Sequence, residues 1–180
     1  MPHIRISKFL SYVLRHHPEA AGLTLGEGGW VDVEALLAGA EAAGIRLDRA
    51  LLEEVVQQNN KQRFAFSEDG LRIRANQGHS VAIDLALTPV GPPDWLYHGT
   101  AQRYLPSIRA AGLLRGRRHH VHLSPDAETA GSVGRRHGKP VVLEVAAGAM
   151  HTSGFLFYRT ANGVWLTEHV PPAYLDVLVR

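Results

Sequence analysis

The chain has 180 residues, 45% hydrophobic and 20% charged, the balance of a water-soluble fold of one large or two small domains. It contains no cysteine, which excludes disulfides, thiolate catalysis and cysteine-held zinc, and no apolar run near the roughly 20 residues a membrane helix needs. The formal charge of +2 is unevenly spread: residues 1–90 carry 9 Lys+Arg against 11 Asp+Glu, whereas residues 91–180 carry 10 against 6 and seven of the 11 histidines, so an anionic ligand is expected in the second half.

Residues 6–15 place Ile6, Phe9, Leu10, Val13 and Leu14 at helical spacing, with Ser7 as a cap near the start and Pro18 as the stop. Arg15, His16 and His17 then sit at the C-terminal end, where cations complement a helix dipole. The glycine-rich stretch 22–31 reads as a loop entering a short strand at Trp30-Val31. Asp32 caps a second helix over residues 33–43, ended by Gly44, and Asp48 caps a third over residues 49–58. Residues 61–66 alternate, with Phe64 and Phe66 on one face and Arg63 and Ala65 on the other. A turn at residues 67–70 leads back through residues 71–75, with Leu71 and Ile73 inward and Arg72 and Arg74 outward. This order of elements fits a winged-helix module. Glu34, Glu41, Glu53 and Glu54 make its helices acidic, so a few placed arginines are more credible than a basic face. Asn76, Gln77, His79 and Ser80 could donate to a phosphate or to RNA hydroxyls, although residues 76–80 taken alone read as a solvated loop.

Proline and glycine at residues 88–93 mark a linker. The expected division is therefore a first lobe over 1–84, a linker over 85–93 and a second lobe over 94–180. The second lobe opens with a strand into a His98-Gly99-Thr100 corner, where Gly99 permits close backbone approach. A helix over residues 102–111 follows, then the basic stretch 117–124. Read as a strand, that stretch puts Arg118, His120, His122 and Ser124 on one face and Val121 and Leu123 on the other. Such a row suits a phosphorylated substrate and a pyrophosphate-containing cofactor. A helix over residues 127–136, an apolar strand over 141–145, a hairpin around residues 161–163 and a last edge strand complete an α+β lobe of short strands and two helices.

Three histidines, His98, His120 and His122, could form a catalytic zinc set, but the flanking arginines would repel a divalent cation, so no metal is expected. No GxSxG elbow, GxGxxG turn or Walker A loop is present, so a nucleotide must be held by another architecture.

Seven motifs now stand in order: residues 14–18 (LRHHP), 61–64 (KQRF), 73–80 (IRANQGHS), 96–100 (LYHGT), 118–124 (RHHVHLS), 136–143 (RHGKPVVL) and 162–167 (NGVWLT). With them the chain resembles the NAD-dependent RNA 2′-phosphotransferase family, known from the last step of tRNA splicing, over nearly its whole length. The resemblance implies an N-terminal winged-helix lobe and a C-terminal lobe like those of ADP-ribosyltransferases, facing each other across a cleft. It implies that NAD is consumed: the 2′-phosphate of an internal, tRNA-like RNA site displaces nicotinamide, giving an RNA-phospho-ADP-ribose intermediate. The ribose 2″-hydroxyl then attacks the phosphate, releasing RNA with a free 2′-hydroxyl and ADP-ribose 1″,2″-cyclic phosphate. By resemblance the catalytic set is Arg15, His16, Arg63 and Arg118. NAD contacts are expected from His98, Gly99, Thr100, Ser107, Ile108, Gly112, Leu113, His120, His122 and Ser124; RNA or phosphate contacts from Asn76, Gln77, His79 and Ser80. Glu144 and Glu168, the only late glutamates, have no obvious claim to the catalytic role a glutamate plays in many protein-modifying relatives, which fits a phosphate acceptor. Two other functions remain open: NAD-dependent ADP-ribosylation of terminal RNA or DNA phosphates, and non-enzymatic nucleic-acid binding through the winged helix. A cytoplasmic monomer that meets no membrane is expected.

Overall fold

The computed structural model describes residues 2–178, and the chain divides into two compact units, Met1–Ala86 and Leu87–Arg180. In the first unit, helix α1 (Pro2–Arg15) starts four residues earlier than its apolar spacing predicts. Ser7 therefore lies inside the helix rather than at its cap, and its hydroxyl accepts a hydrogen bond from Asn59 Nδ2 at 3.4 Å. The stripe of Ile6, Leu10, Val13 and Leu14 is buried, which is what anchors the helix. The N–H groups of His16 and His17 both reach the carbonyl of Tyr12, and a 3₁₀ turn begins at Pro18. Strand β1 (Val31–Asp32) feeds helix α2 (Val33–Ala42), whose cap, Asp32, accepts from the N–H of Ala35. Asp48 does the same for helix α3 (Arg49–Gln57) through the N–H of Leu51.

Strands β2 (Phe64–Phe66) and β3 (Arg72–Ala75) complete an antiparallel sheet of order β1-β3-β2. Leu10, Leu14, Leu36, Leu52, Phe64 and Ile73 meet in its core. Leu71, expected inward, is 61% exposed. Its N–H is taken by the Asp69 carboxylate in the turn, so the strand starts one residue later and the inward pair is Ile73 and Ala75.

The second unit is α+β with every strand pair antiparallel. Strand β4 (Leu96–Ala101) is followed by helix α4 (Leu105–Ala111), strands β5 (Leu113–Leu114) and β6 (Val121–Leu123), helix α5 (Ala127–Gly134) and strand β7 (Pro140–Val145). Helix α6 (Ala147–Thr152) comes next, then strands β8 (Phe157–Arg159), β9 (Trp165–Thr167), β10 (His169–Val170) and β11 (Leu175–Val177). The expectation of two helices in this half is corrected to three among the described residues. Residues 147–152 carry no polar N-cap and too few apolar residues to show a stripe; Ala147 and Met150 pin α6 to the core instead.

Two three-stranded sheets, β11-β7-β4 and β6-β9-β8, and a β10-β5 pair form this unit. The register between β4 and β7 runs from Leu96↔Val145 to Ala101↔Pro140. Among the described residues β4 and β6 are joined by one bridge, Tyr97↔Ser124, whose residues exchange both backbone hydrogen bonds, at 2.9 and 2.7 Å. Helix α5 lies directly on β4. A Cβ added to Gly99 would fall 1.7 Å from the Ala130 carbonyl oxygen, and one added to Gly134 would fall 2.7 Å from that of Thr100. Small residues on both sides are the condition for this approach.

Candidate active site

In the first unit, three separate motifs converge on residues 76–80. The Ser80 N–H donates to the Arg15 carbonyl at 2.9 Å, and Ser80 Oγ shares a 2.8 Å hydrogen bond with His16 Nδ1. Gly78, at φ +89°, leaves room for the Arg15 guanidinium: a Cβ there would lie 3.5 Å from Cζ. On its other side that guanidinium faces the Phe64 ring, 6.0 Å from the centroid. The Asn76 N–H donates to the Arg63 carbonyl, and Asn76 Nδ2 donates to the Gln62 carbonyl at 2.7 Å. Gln62 has φ +42°, uncommon for a non-glycine residue. Asn76 thus fixes the backbone that carries Arg63.

The solvated-loop reading of residues 76–80 is overturned. Asn76 and Gln77 are buried and His79 is only 1% exposed. His79 packs against Gly29, where a Cβ would come within 3.2 Å of Nε2. The segment is polar because it is an internal strut, and it brings Arg15, His16, Arg63, Asn76 and Ser80 into one connected group. Arg74 stacks on Trp30, 4.5 Å from the ring centroid, and burial lowers its pKa.

In the second unit the row of residues 118–124 is only partly a strand. Strand β6 covers Val121–Leu123, and Arg118 belongs to a turn in which its N–H bonds the Arg115 carbonyl and Arg115 Nη1 bonds the Arg118 carbonyl. Strict alternation therefore does not reach Arg118. Hydrogen bonds connect it to His122 nonetheless: Arg118 Nη1 donates to His122 Nδ1 at 3.1 Å, which requires that nitrogen to be unprotonated. The His122 carbonyl in turn accepts from His98 Nδ1 at 2.9 Å. A carbonyl can only accept, so His98 carries its proton on Nδ1 and, when neutral, offers Nε2 as an acceptor. Ser124 is tied to the same place through Tyr97. His120 turns instead to the Tyr158 ring, 5.3 Å between centroids, beside a cavity that residue spacing alone did not reveal.

The remaining candidates have duties inside the fold. Thr100 is buried in β4, and Ser107 Oγ donates to the Tyr104 carbonyl. Ile108 and Leu113 pack in the core, and a Cβ on Gly112 would meet the Val170 carbonyl oxygen at 2.0 Å. Among the described residues no group of three His, Asp or Glu side chains is arranged to hold a metal ion.

Burial pushes the His98 pKa below the ordinary value of 6.5; its bond to the His122 carbonyl opposes this, and the nearby His137 and Arg118 charges reinforce it. The unfolded chain protonates His98 near 6.5 and the folded chain only at lower pH. Below about 6.5 the unfolded state therefore binds more protons, and stability falls as pH drops. Melting curves between pH 8 and 5 should show this fall, with a shallower slope for His98→Asn, whose amide keeps a donor but cannot charge. An unchanged slope would assign the effect to other groups.

Residues 1–169 match the family described as RNA 2′-phosphotransferase, Tpt1 / KptA. A probable RNA 2′-phosphotransferase of Pseudomonas aeruginosa is 59% identical over 170 residues, covering 94% of this chain and 93% of that protein. Proteins of the same name from Acaryochloris marina and Streptomyces coelicolor are 57% and 56% identical, covering 94% and 96% of this chain and 93% of each relative.

Proposed function

This chain belongs to the RNA 2′-phosphotransferase, Tpt1 / KptA family, and we propose that it removes an internal RNA 2′-phosphate by transferring it to NAD. The products are RNA with a free 2′-hydroxyl, ADP-ribose 1″,2″-cyclic phosphate and nicotinamide, by way of RNA-phospho-ADP-ribose. Phosphotransfer from RNA follows from the family; the use of NAD rests on the second unit.

The observation that carries the NAD reading is the edge of β4 beyond Tyr97. Even-numbered residues of β4 direct their backbone groups to β7, and Tyr97 directs its own to Ser124. Alternation then turns the Gly99 N–H and C=O toward the β6 side. A carboxamide, with one acceptor and one donor side by side, matches such a pair. His98 Nε2 adds an acceptor for a ribose hydroxyl, and Arg118 a cation for a phosphate. These groups fit a nicotinamide nucleotide. When bound, NAD supplies a ribose carbon from which nicotinamide can leave.

The chain's own residues do the rest. The RNA 2′-phosphate is already an anion, so attack needs positioning and charge compensation rather than a strong base. We assign Arg15, Arg63 and Arg118 to grip that phosphate. His16, oriented by Ser80, protonates the leaving RNA oxygen in the second step. Asn76, with its carbonyl partner at residue 62, positions Arg63. The first unit is read as a winged helix and the second as an ADP-ribosyltransferase-like lobe.

The test is incubation of the full chain with a short RNA bearing one internal 2′-phosphate, with and without NAD. NAD-dependent loss of phosphate with release of the cyclic product is expected. RNA left carrying ADP-ribose would point to end-modification chemistry; RNA unchanged in both arms would sink the enzymatic reading.

A further inference from the structure

The second unit has a cavity of about 500 Å³ that the chemistry above leaves unused, within the roughly 300–1,000 Å³ typical of small-molecule sites. Of the ten residues assigned to NAD, only His120 lines it. Arg115 and Glu168 supply one charge of each sign to its lining, and His119, His120 and His169 add imidazoles that can donate or accept hydrogen bonds, so a ligand phosphate has one place to dock, Arg115. The ring pair of His120 and Tyr158 forms one wall, and Phe155 forms another with the His169 ring at 5.7 Å. Leu156 lines it and stays 53% exposed, a large apolar side chain for which the fold provides no cover. Flat rings, an apolar rim and a guanidinium are the means by which proteins hold one unstacked nucleotide.

Arg115 donates one N–H to the Arg118 carbonyl and accepts the Arg118 N–H at its own carbonyl, so the cavity's arginine and the proposed clamp arginine close a single turn. A nucleotide next to the phosphorylated one is therefore within reach of the cavity. Resting on the reading that RNA is the substrate, we infer that this cavity is a subsite for one flanking RNA nucleotide. Its base lies against Tyr158 and Leu156, and its phosphate meets Arg115. The adenosine of NAD has the same chemistry, and the test separates the two sources.

The experiment compares the full chain with a Leu156→Ala/Tyr158→Ala variant, which strips the proposed base platform and leaves the Arg115–Arg118 turn in place. Michaelis constants are measured for NAD, for a nucleoside 2′-phosphate, which has no flanking nucleotide, and for a six-nucleotide RNA carrying the same group internally. The expected result is a rise of about tenfold or more in KM for the six-nucleotide RNA, the scale of losing one stacked base, with kcat and the KM for NAD unchanged. The nucleoside 2′-phosphate should bind the wild type no better than the variant. A rise in the KM for NAD instead, or no change in either constant, would overturn the proposal. If the wild type does not turn over the six-nucleotide RNA, the phosphotransferase reading itself has failed, which is a different outcome. Leu156→Asn/Tyr158→Leu keeps bulk at both positions, removes the ring and the apolar rim, and serves if the alanine variant melts early.

Discussion

Replacing Arg118 by alanine is expected to slow removal of the RNA 2′-phosphate about 100- to 1,000-fold, the usual cost of losing one preorganised donor at a developing charge. The side chain combines three properties. It is held in direction by its bond to His122 Nδ1. It is partly desolvated, which lowers its pKa without discharging it and strengthens its pull on an anion. Its planar fork can bind two phosphate oxygens at once. Arg118→Lys restores charge but not the fork and should recover only part of the loss. The residue keeps part of its surface in solvent and lies outside the apolar core, so the melting midpoint should barely move. Single-turnover rates on saturating RNA and NAD provide the check. A full rate in Arg118→Ala would remove this residue from the clamp.

The largest effect on stability is expected at Gly99. An alanine there would place a methyl carbon 1.7 Å from the Ala130 carbonyl oxygen and 2.6 Å from its carbon. Both neighbours are helix backbone, so no side chain can swing aside. Either α5 lifts from β4 or the strand bends away from its six-residue pairing with β7. The cost should reach at least about 3 kcal/mol, the top of the range for overpacked cores, and lower the midpoint by roughly 10 °C or more. Thermal denaturation followed by far-UV circular dichroism would measure it. A shift below a few degrees would mean that the helix yields easily. Gly99 is thus required by its own unit, whatever it also offers a ligand through its backbone edge.

What could be read from the sequence follows from how local each signal is. Helix α1, the caps Asp32 and Asp48, and the pairing of β2 with β3 rest on spacing and on neighbours within a few residues. Leu71 defeated alternation because a side chain in the preceding turn captured its N–H. The 76–80 segment defeated composition. Asn, Gln, His and Ser usually mark solvent, and only contacts with residues 15, 29, 62 and 63 turn them inward. Arg118 shows the reverse case. The strand assumed for it ends short, yet a turn and one hydrogen bond bring the same side chain to His122. The cavity beside Tyr158 escaped notice because its lining comes from residues 115–120, 153–158 and 167–169, which no single motif contains.

The two apolar clusters have no residue in common: one is built wholly from positions below 87 and the other wholly from positions above it. Cooperativity in such a chain is held in halves, so one calorimetric transition is not a requirement of the fold. A gene product truncated after Ala86 would keep every member of its own cluster. It would also keep the hydrogen bonds that tie Arg15, His16 and Arg63 to residues 76 and 80.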